Sequence, residues 1–128
     1  MALSKYTILV AEYIPADILL FKILLKQTHC RLLTATDGFN ALQQARQEHP
    51  DLLLVDVQMP GMSGFEIANA LQQDAMTKTI AILYVADMGD YPFFTPEGRM
   101  LSPKEYIEKP FDMRQLVKRI LQRLKETE

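Results

Sequence analysis

Short apolar runs alternate along the chain with longer segments of helical periodicity, and this alternation limits the fold more than any other feature. Five runs predict strands, at residues 6–11, 31–35, 52–55, 80–85 and 106–107. The third and fourth runs are apolar without alternation, which is typical of strands that helices cover on both faces. The sequence therefore predicts a central parallel sheet.

Helical segments lie between these runs and after the last one, at residues 15–27, 39–48, 64–73 and 113–125. In the last segment, apolar side chains recur at intervals of three and four residues, as in an amphipathic helix. Pro15 fits a first helical turn, Asp112 is a predicted N-cap, and Pro50 ends the second helix. Strands that alternate with helices in this way predict a doubly wound α/β fold.

The segment between the fourth and fifth predicted strands interrupts the alternation. Residues 87–103 contain three prolines and two glycines where another crossover helix would belong. Proline in a helix interior costs about 3 kcal/mol or more. We therefore expect this fourth crossover helix to be short or missing, with a loop or one short helical turn in its place. Three aromatic residues, Tyr91, Phe93 and Phe94, are expected to fix the segment to the rest of the protein.

Length and composition favour one domain over residues 1–128. Hydrophobic residues make up 48% of the chain and charged residues 23%, which is ordinary for a globular protein. The formal net charge is -2 and the basic residues are scattered, so direct binding to nucleic acid is not predicted. The longest apolar stretch, residues 80–86, is far shorter than the roughly 20 residues that cross a bilayer, so no membrane segment is predicted. With one cysteine and no secretory leader, the chain is predicted to be cytoplasmic.

In a doubly wound sheet, ligands bind beyond the carboxyl ends of the strands. The residues near these ends are therefore the candidates for a functional site: Glu12, Tyr13, Asp56, Ala86 and Lys109. Asp56 follows the apolar run of residues 52–55 and precedes a proline-glycine turn. Considered alone, Asp56 is either a reactive carboxylate or a cap of the following turn or helix.

Several ordered motifs surround these positions. They are Ile8-Leu9-Val10 before an acid, Thr34-Ala35-Thr36-Asp37-Gly38, Pro50-Asp51 before residues 52–56, Met59-Pro60-Gly61-Met62-Ser63-Gly64, and Tyr106-Ile107-Glu108-Lys109-Pro110-Phe111. In order and spacing, the chain resembles a response-regulator receiver domain of two-component signalling from about residue 6 to residue 124. Only the stretch after Ala86 fits the family pattern poorly.

The resemblance implies a flavodoxin-like sheet of five parallel strands in the order 2-1-3-4-5. It implies that Asp56 accepts a phosphoryl group from a histidine kinase or phosphotransfer protein, and that Lys109 neutralises the phosphoryl oxygens. The peptide bond between Lys109 and Pro110 matches one that is usually cis in the family, an isomer that is largely reserved to proline. Tyr106 matches the aromatic residue that switches with phosphorylation.

A receiver of this kind is a signalling module rather than an enzyme, and it acts through a downstream protein partner. The segment of residues 87–103 lies where family members dimerise or signal, so the resemblance is also compatible with a homodimer. The sequence leaves open whether the chain is a stand-alone receiver or part of a longer regulator.

One departure from the family concerns the metal. Receivers end their first strand with two acids that hold Mg²⁺, and these positions are Glu12 and Tyr13 here. Mg²⁺ typically takes one or two carboxylates together with phosphate oxygens and water. Glu12, Asp56 and the backbone carbonyl of Gln58 remain as ligands, so the resemblance implies Mg²⁺ binding that is weakened rather than lost.

The second departure is Ala86, which stands where the family has a Thr or Ser that donates to the phosphoryl group. Deleting one preorganised donor from an active site costs roughly 10² to 10³ in rate. The sequence therefore favours an atypical or pseudo-receiver that signals through protein binding with an impaired phosphorylation site. The alternative is a fully competent receiver that a histidine kinase phosphorylates on Asp56 with Mg²⁺.

Two other classes of protein fit the sequence less well. A phosphatase of the haloacid-dehalogenase kind needs a second Asp two residues after the first, and position 58 is Gln. A flavin-binding flavodoxin needs a phosphate loop rich in Ser, Thr and Gly after the first strand. Residues 12–15 offer no such nest of backbone donors.

Overall fold

The computed structural model describes residues 3–126, and within them five parallel strands form one sheet. The strands are β1 (Thr7–Ala11), β2 (Arg31–Ala35), β3 (Leu52–Asp56), β4 (Ala81–Asp87) and β5 (Tyr106–Lys109). Their order across the sheet is β2-β1-β3-β4-β5, which confirms the predicted fold and strand order. The central strand, β3, therefore ends between β1 and β4.

Four α-helices accompany the strands in the described part of the chain: α1 (Pro15–Lys26), α2 (Gly38–Glu48), α3 (Gly64–Gln72) and α4 (Met113–Glu126). Asp37 caps α2 by accepting the backbone N–H three residues later at 2.8 Å. Asp112 caps α4 in the same way at 2.8 Å, as predicted. Ser63 and Glu66 form a reciprocal capping box at the start of α3.

Successive side chains of a strand point to opposite faces of the sheet, and two helices cover each face. The core beneath α1 and α4 includes Ile8, Val10, Leu54, Leu83, Phe21, Leu25, Leu116 and Ile120. The core beneath α2 and α3 includes Leu9, Leu53, Val55, Ile82, Ala41, Ala45, Ile67 and Leu71. Because both faces are buried, β3 is apolar until it ends on Asp56.

A compact loop takes the place of a helix between β4 and β5, as the prolines and glycines predicted. Residues Met88–Asp90 and Pro103–Glu105 form single 3₁₀ turns. Between them, Phe94 and Met100 pair in an antiparallel bridge. The prediction that three aromatic residues fix this loop holds for Phe93, which is 5% exposed, but is wrong for Tyr91 and Phe94, which are 63% and 51% exposed.

Two strands are longer than the apolar runs indicated. β4 and β5 pair over residues 84–87 and 106–109, so polar residues continue both strands. Because hydrogen bonding to the neighbouring strand decides where a strand ends, an apolar run alone predicts the end too early. This extension brings Lys109 to the sheet edge on which Asp56 lies. None of the helices within residues 3–126 is long and apolar enough to cross a bilayer.

Candidate functional site

The Asp56 carboxylate lies at the carboxyl edge of the sheet, and the residue is 6% exposed. Its Oδ1 accepts a hydrogen bond from the Gln58 backbone N–H at 2.9 Å. Its Oδ2 accepts one from Lys109 Nζ at 3.0 Å. These two hydrogen bonds, one from the backbone and one from a cation, fix the orientation of the carboxylate.

The helix α3 begins directly beside Asp56, and glycine at its first position permits this approach. The Gly64 N–H donates to the carbonyl of Val57 at 2.9 Å. A Cβ at Gly64 would overlap the backbone carbonyl oxygen of Asp56. The Gly64 that ends the fourth sequence motif therefore positions the loop around the carboxylate.

Glu12, which directly follows β1, is fully buried. Its Oε1 accepts a hydrogen bond from the Ile14 backbone N–H at 3.4 Å. Its Oε2 accepts no hydrogen bond and lies 3.4 Å from Lys109 Nζ. Burial, together with the neighbouring Asp56 carboxyl, raises the pKa of Glu12 to about 8.

Lys109, at the end of β5, joins this site from the opposite side. Its ammonium group lies 2.7 Å from Asp17 Oδ2, 3.0 Å from Asp56 Oδ2 and 3.4 Å from Glu12 Oε2. Burial alone would lower the pKa of Lys109, but the hydrogen bonds to Asp17 and Asp56 outweigh it and raise the pKa above its usual value. These four residues are called the charged cluster below: Glu12, Asp17, Asp56 and Lys109.

Asp17 is the member of the charged cluster that sequence reasoning missed. It lies in the first turn of α1, two residues after Pro15. Helices that follow strands in a parallel sheet begin at the carboxyl edge, so an acid in such a first turn lies close to the site. An acid in the first turn of α1 is therefore the sequence signal for Asp17, whereas the family motif points to position 13.

The charged cluster has features that suit a hard divalent cation. Glu12 Oε2 is a buried carboxylate oxygen without a hydrogen-bond donor, and such an oxygen is costly to leave unpaired. Within residues 3–126, no group of three or more His, Cys, Asp or Glu side chains is arranged to hold a metal ion by itself. Two carboxylates from Glu12 and Asp56, completed by water or phosphate oxygens, match the way in which proteins usually bind Mg²⁺.

The predicted switch positions lie beside the charged cluster, in apolar surroundings. Ala86 is 2% exposed and Tyr106 is 7% exposed. The Tyr106 ring meets the Phe93 ring edge to face, with centroids 4.6 Å apart. These residues form one buried group, called the apolar cluster below: Ala86, Phe93, Leu101 and Tyr106.

The remaining sequence candidates have less definite environments. Gln58 lies next to Asp56 through its N–H, and metal binding by its carbonyl stays a prediction. Tyr13 is 38% exposed, so it is at the surface beside the buried Glu12. The peptide bond between Lys109 and Pro110 is cis, as the resemblance implied.

The fold and the charged cluster define a signalling receiver. The model of the response regulator receiver domain matches residues 8–121. The chain therefore belongs to the response regulator receiver domain family of two-component signalling.

Individual relatives agree with this assignment. Protein PilH of Pseudomonas aeruginosa is 31% identical over 88% of this chain and 93% of its own length. A structure of a response regulator from Chloroflexus aurantiacus superposes with a TM-score of 0.80 at 27% identity, covering 94% of this chain and 98% of the other. The receiver domain of a Pseudomonas aeruginosa sensor histidine kinase shares the fold with a TM-score of 0.81 at 18% identity over 94% and 98% of the two chains, and holds a magnesium ion in its active-site cleft.

Proposed function

We propose that this chain is an atypical receiver that takes a phosphoryl group on Asp56 only slowly and signals by binding a protein partner. The observation that carries the proposal is the contrast between the hydrogen bond from Lys109 Nζ to Asp56 Oδ2 at 3.0 Å and the buried methyl group of Ala86. The first supplies the charge that the reaction needs. The second withholds a donor.

The transfer itself asks little covalent chemistry of the protein. A carboxylate oxygen of Asp56 attacks phosphorus, the bond to the donor's leaving group breaks, and an acyl phosphate forms on Asp56. Catalysis depends on positioning and on neutralisation of the phosphoryl oxygens. The ammonium of Lys109 lies at ion-pair distance from the accepting carboxylate and therefore neutralises charge there. A bound Mg²⁺, held by Glu12 and Asp56, would supply further neutralisation.

The apolar cluster supports the proposal of an impaired site. Ala86 has no hydroxyl to donate to the phosphoryl group, and its side chain packs with Phe93 and Leu101. Losing one preorganised donor costs roughly 10² to 10³ in rate. Tyr106 is packed against Phe93, so its ring is already fixed without phosphorylation. Because this packing exists before phosphorylation, we expect partner binding to depend little on phosphorylation.

A fully competent receiver is the second candidate, and the charged cluster favours it. Asp56 and Glu12 both contact Lys109, and Asp17 adds a carboxylate that the family motif did not predict. In either case we infer a signalling module of the cytoplasm whose phosphoryl donor is a histidine kinase or a phosphotransfer protein.

The two candidates differ in the rate and extent of labelling. Wild-type protein is incubated with acetyl phosphate and MgCl₂, and its intact mass is followed over time. We expect slow addition of one phosphoryl group, its loss in Asp56→Asn, and its retention in Asp51→Asn, the same change at the opposite end of β3. Rapid stoichiometric labelling would contradict the impaired site and establish the competent receiver.

A further inference from the structure

The carboxylate of Asp17 occupies a position that the receiver motifs did not foresee. It lies in α1 rather than at the end of β1, and its Oδ2 accepts a hydrogen bond from Lys109 Nζ at 2.7 Å. We propose that Asp17 holds the Lys109 ammonium aside, so that Glu12 and Asp56 are free to bind a divalent cation. Asp17 thereby compensates for the acid that is absent at position 13. This inference rests on the proposed function.

The contacts of Lys109 show why such a residue is needed. The ammonium contacts all three carboxyl groups of the charged cluster, including both proposed metal ligands. A divalent cation that binds Glu12 and Asp56 repels this ammonium and has to displace it. The Lys109 side chain is only 14% exposed, so its ammonium group moves into solvent only with a rearrangement. It needs another anion close by.

Asp17 is suited to be that anion. Its distance to Nζ is the shortest of the three, and Lys109 donates hydrogen bonds to Asp17 and Asp56 but only approaches Glu12. The side chain of Asp17 is 24% exposed, against 9% for Asp56 and none for Glu12, which places it at the rim of the charged cluster. Lys109 can therefore keep Asp17 as its partner while the two deeper carboxylates turn to a cation.

The charge balance points in the same direction. Lys109 contributes one positive charge, and removing Asp17 would leave it only the two proposed metal ligands as ion-pair partners in the described part of the chain. Two unit charges a few ångströms apart near a protein surface interact strongly enough to change an equilibrium constant by about tenfold or more. Loss of Asp17 should therefore weaken binding of a divalent cation by at least about tenfold.

A simpler role for Asp17 has to be separated from this one. An acid in the first turn of a helix stabilises that helix through its dipole, and an ion pair to Lys109 joins α1 to β5. Such a structural role would affect folding stability but not the competition between Lys109 and a cation. The two roles differ in what happens when Lys109 is removed.

The test is titration of the unphosphorylated protein with MgCl₂, followed by backbone amide NMR shifts around Asp56. We expect Asp17→Asn to raise the dissociation constant for Mg²⁺ about tenfold. Asp51→Asn is the matched control, with the same chemical change and charge at the opposite end of β3, and should leave the constant within about twofold. Thermal melts of both variants establish that each is folded.

Two further variants decide the mechanism. In a Lys109→Met background no ammonium competes for the ligands, so Asp17→Asn should cost about threefold or less there. In the Asp17→Asn background, Tyr13→Asp should restore most of the lost affinity, because it returns an acid to the end of β1. An equal loss with and without Lys109, or no loss at all, would overturn the inference.

Failure of the inference and failure of the proposed function are distinguishable. If wild-type protein shows no site-specific shift change with MgCl₂, the role of Asp17 in cation binding is refuted. If Mg²⁺ binds and Asp17→Asn weakens it, but Asp56 is never labelled by acetyl phosphate, the inference stands and phosphorylation of the receiver is refuted.

Discussion

The charged cluster and the apolar cluster both use residues of β5, Lys109 from its end and Tyr106 from its start, yet they differ in how much they depend on solvent and ions. The charged cluster consists of three carboxyl groups around one ammonium, and one carboxyl oxygen of Glu12 has no hydrogen-bond partner. The apolar cluster is closed by the rings of Phe93 and Tyr106 and by Leu101. The charged groups can exchange one ion-pair partner for another, whereas the apolar cluster is closely packed.

This difference separates two parts of a receiver's work. Accepting a phosphoryl group needs charge and position, and in the proposed function the charged cluster supplies both. Transmitting the event needs an element with two arrangements that the phosphoryl group can bias. A packed ring and a missing hydroxyl leave little for the phosphoryl group to bias in the apolar cluster. Chemistry and signalling are therefore expected to be weakly coupled in this protein.

The largest expected effect concerns the charged cluster. Lys109→Met should slow phosphorylation of Asp56 by acetyl phosphate by roughly 10² to 10³, because it removes the cation that is proposed to neutralise the phosphoryl oxygens. Intact-mass kinetics measures the rate. Lys118→Met, which removes an exposed lysine of α4, is the control and should leave the rate unchanged. Equal rates in wild type and Lys109→Met would show that the charged cluster takes no part in the transfer.

The next effect tests whether the apolar cluster is a true packed unit. Phe93→Ala should lower the free energy of unfolding by about 3 kcal/mol, because it removes a buried ring from against Tyr106. Urea denaturation followed by circular dichroism measures this change. Phe94→Ala is a matched control one residue away, and its ring is 51% exposed. It should cost less than about 1 kcal/mol, and a similar cost in both variants would argue against a specific packing role for Phe93.

A smaller effect is expected when a polar group is returned to the apolar cluster. Ala86→Ser adds a hydroxyl with little volume and should increase the rate of Asp56 phosphorylation about tenfold, which is part of what a preorganised donor contributes. Ala86→Val adds volume without a donor and should bring no increase. If Ser and Val behave alike in the mass assay, the missing hydroxyl is not what limits the site.

The last prediction is a pH dependence of stability. In the folded protein the pKa of Glu12 is raised from 4.5 to about 8, so the native state holds a proton that the unfolded state loses between these values. Stability should therefore be greatest below about pH 4.5 for this group and fall as the pH rises to about 8. Thermal melts in EDTA should show the melting temperature falling across this range.

Glu12→Gln separates this contribution from the other titrating groups. Glutamine keeps the shape of the protonated side chain and cannot ionise, so the variant should have a flatter pH profile and exceed the wild type in stability near pH 8. Parallel profiles for the two proteins would mean that Glu12 is already ionised at low pH. Above about pH 8 the dependence on this residue should level off.

Much of this molecule was predictable because local side-chain patterns encode it. The apolar runs of β3 and β4 indicated a buried parallel sheet, and the prolines after Ala86 indicated that no helix would follow. Asp56 and Lys109 were found through ordered motifs, and the structure places their charged groups 3.0 Å apart. Their predicted roles in phosphorylation are not decided by that distance and stay proposals.

Other features depend on contacts that no local pattern encodes. Phe93 is buried and Phe94 is exposed, although the two are adjacent and chemically identical. Neighbouring residues of an extended segment point to opposite sides, and here Phe93 packs against Tyr106 while Phe94 pairs with Met100 through its backbone. The strand ends were likewise misjudged because pairing between β4 and β5 decides them.

The site around Asp56 depends both on local sequence patterns and on tertiary contacts. By itself, the sequence determined that an acid follows the buried apolar run of the central strand and that a lysine follows the last apolar run, because apolar periodicity and turn residues act over a few positions. Only the tertiary structure decided that Asp17, 92 residues before Lys109, takes that lysine as its partner. Such a contact depends on where α1 and β5 meet at the sheet edge, and the packing of the whole domain sets that meeting point.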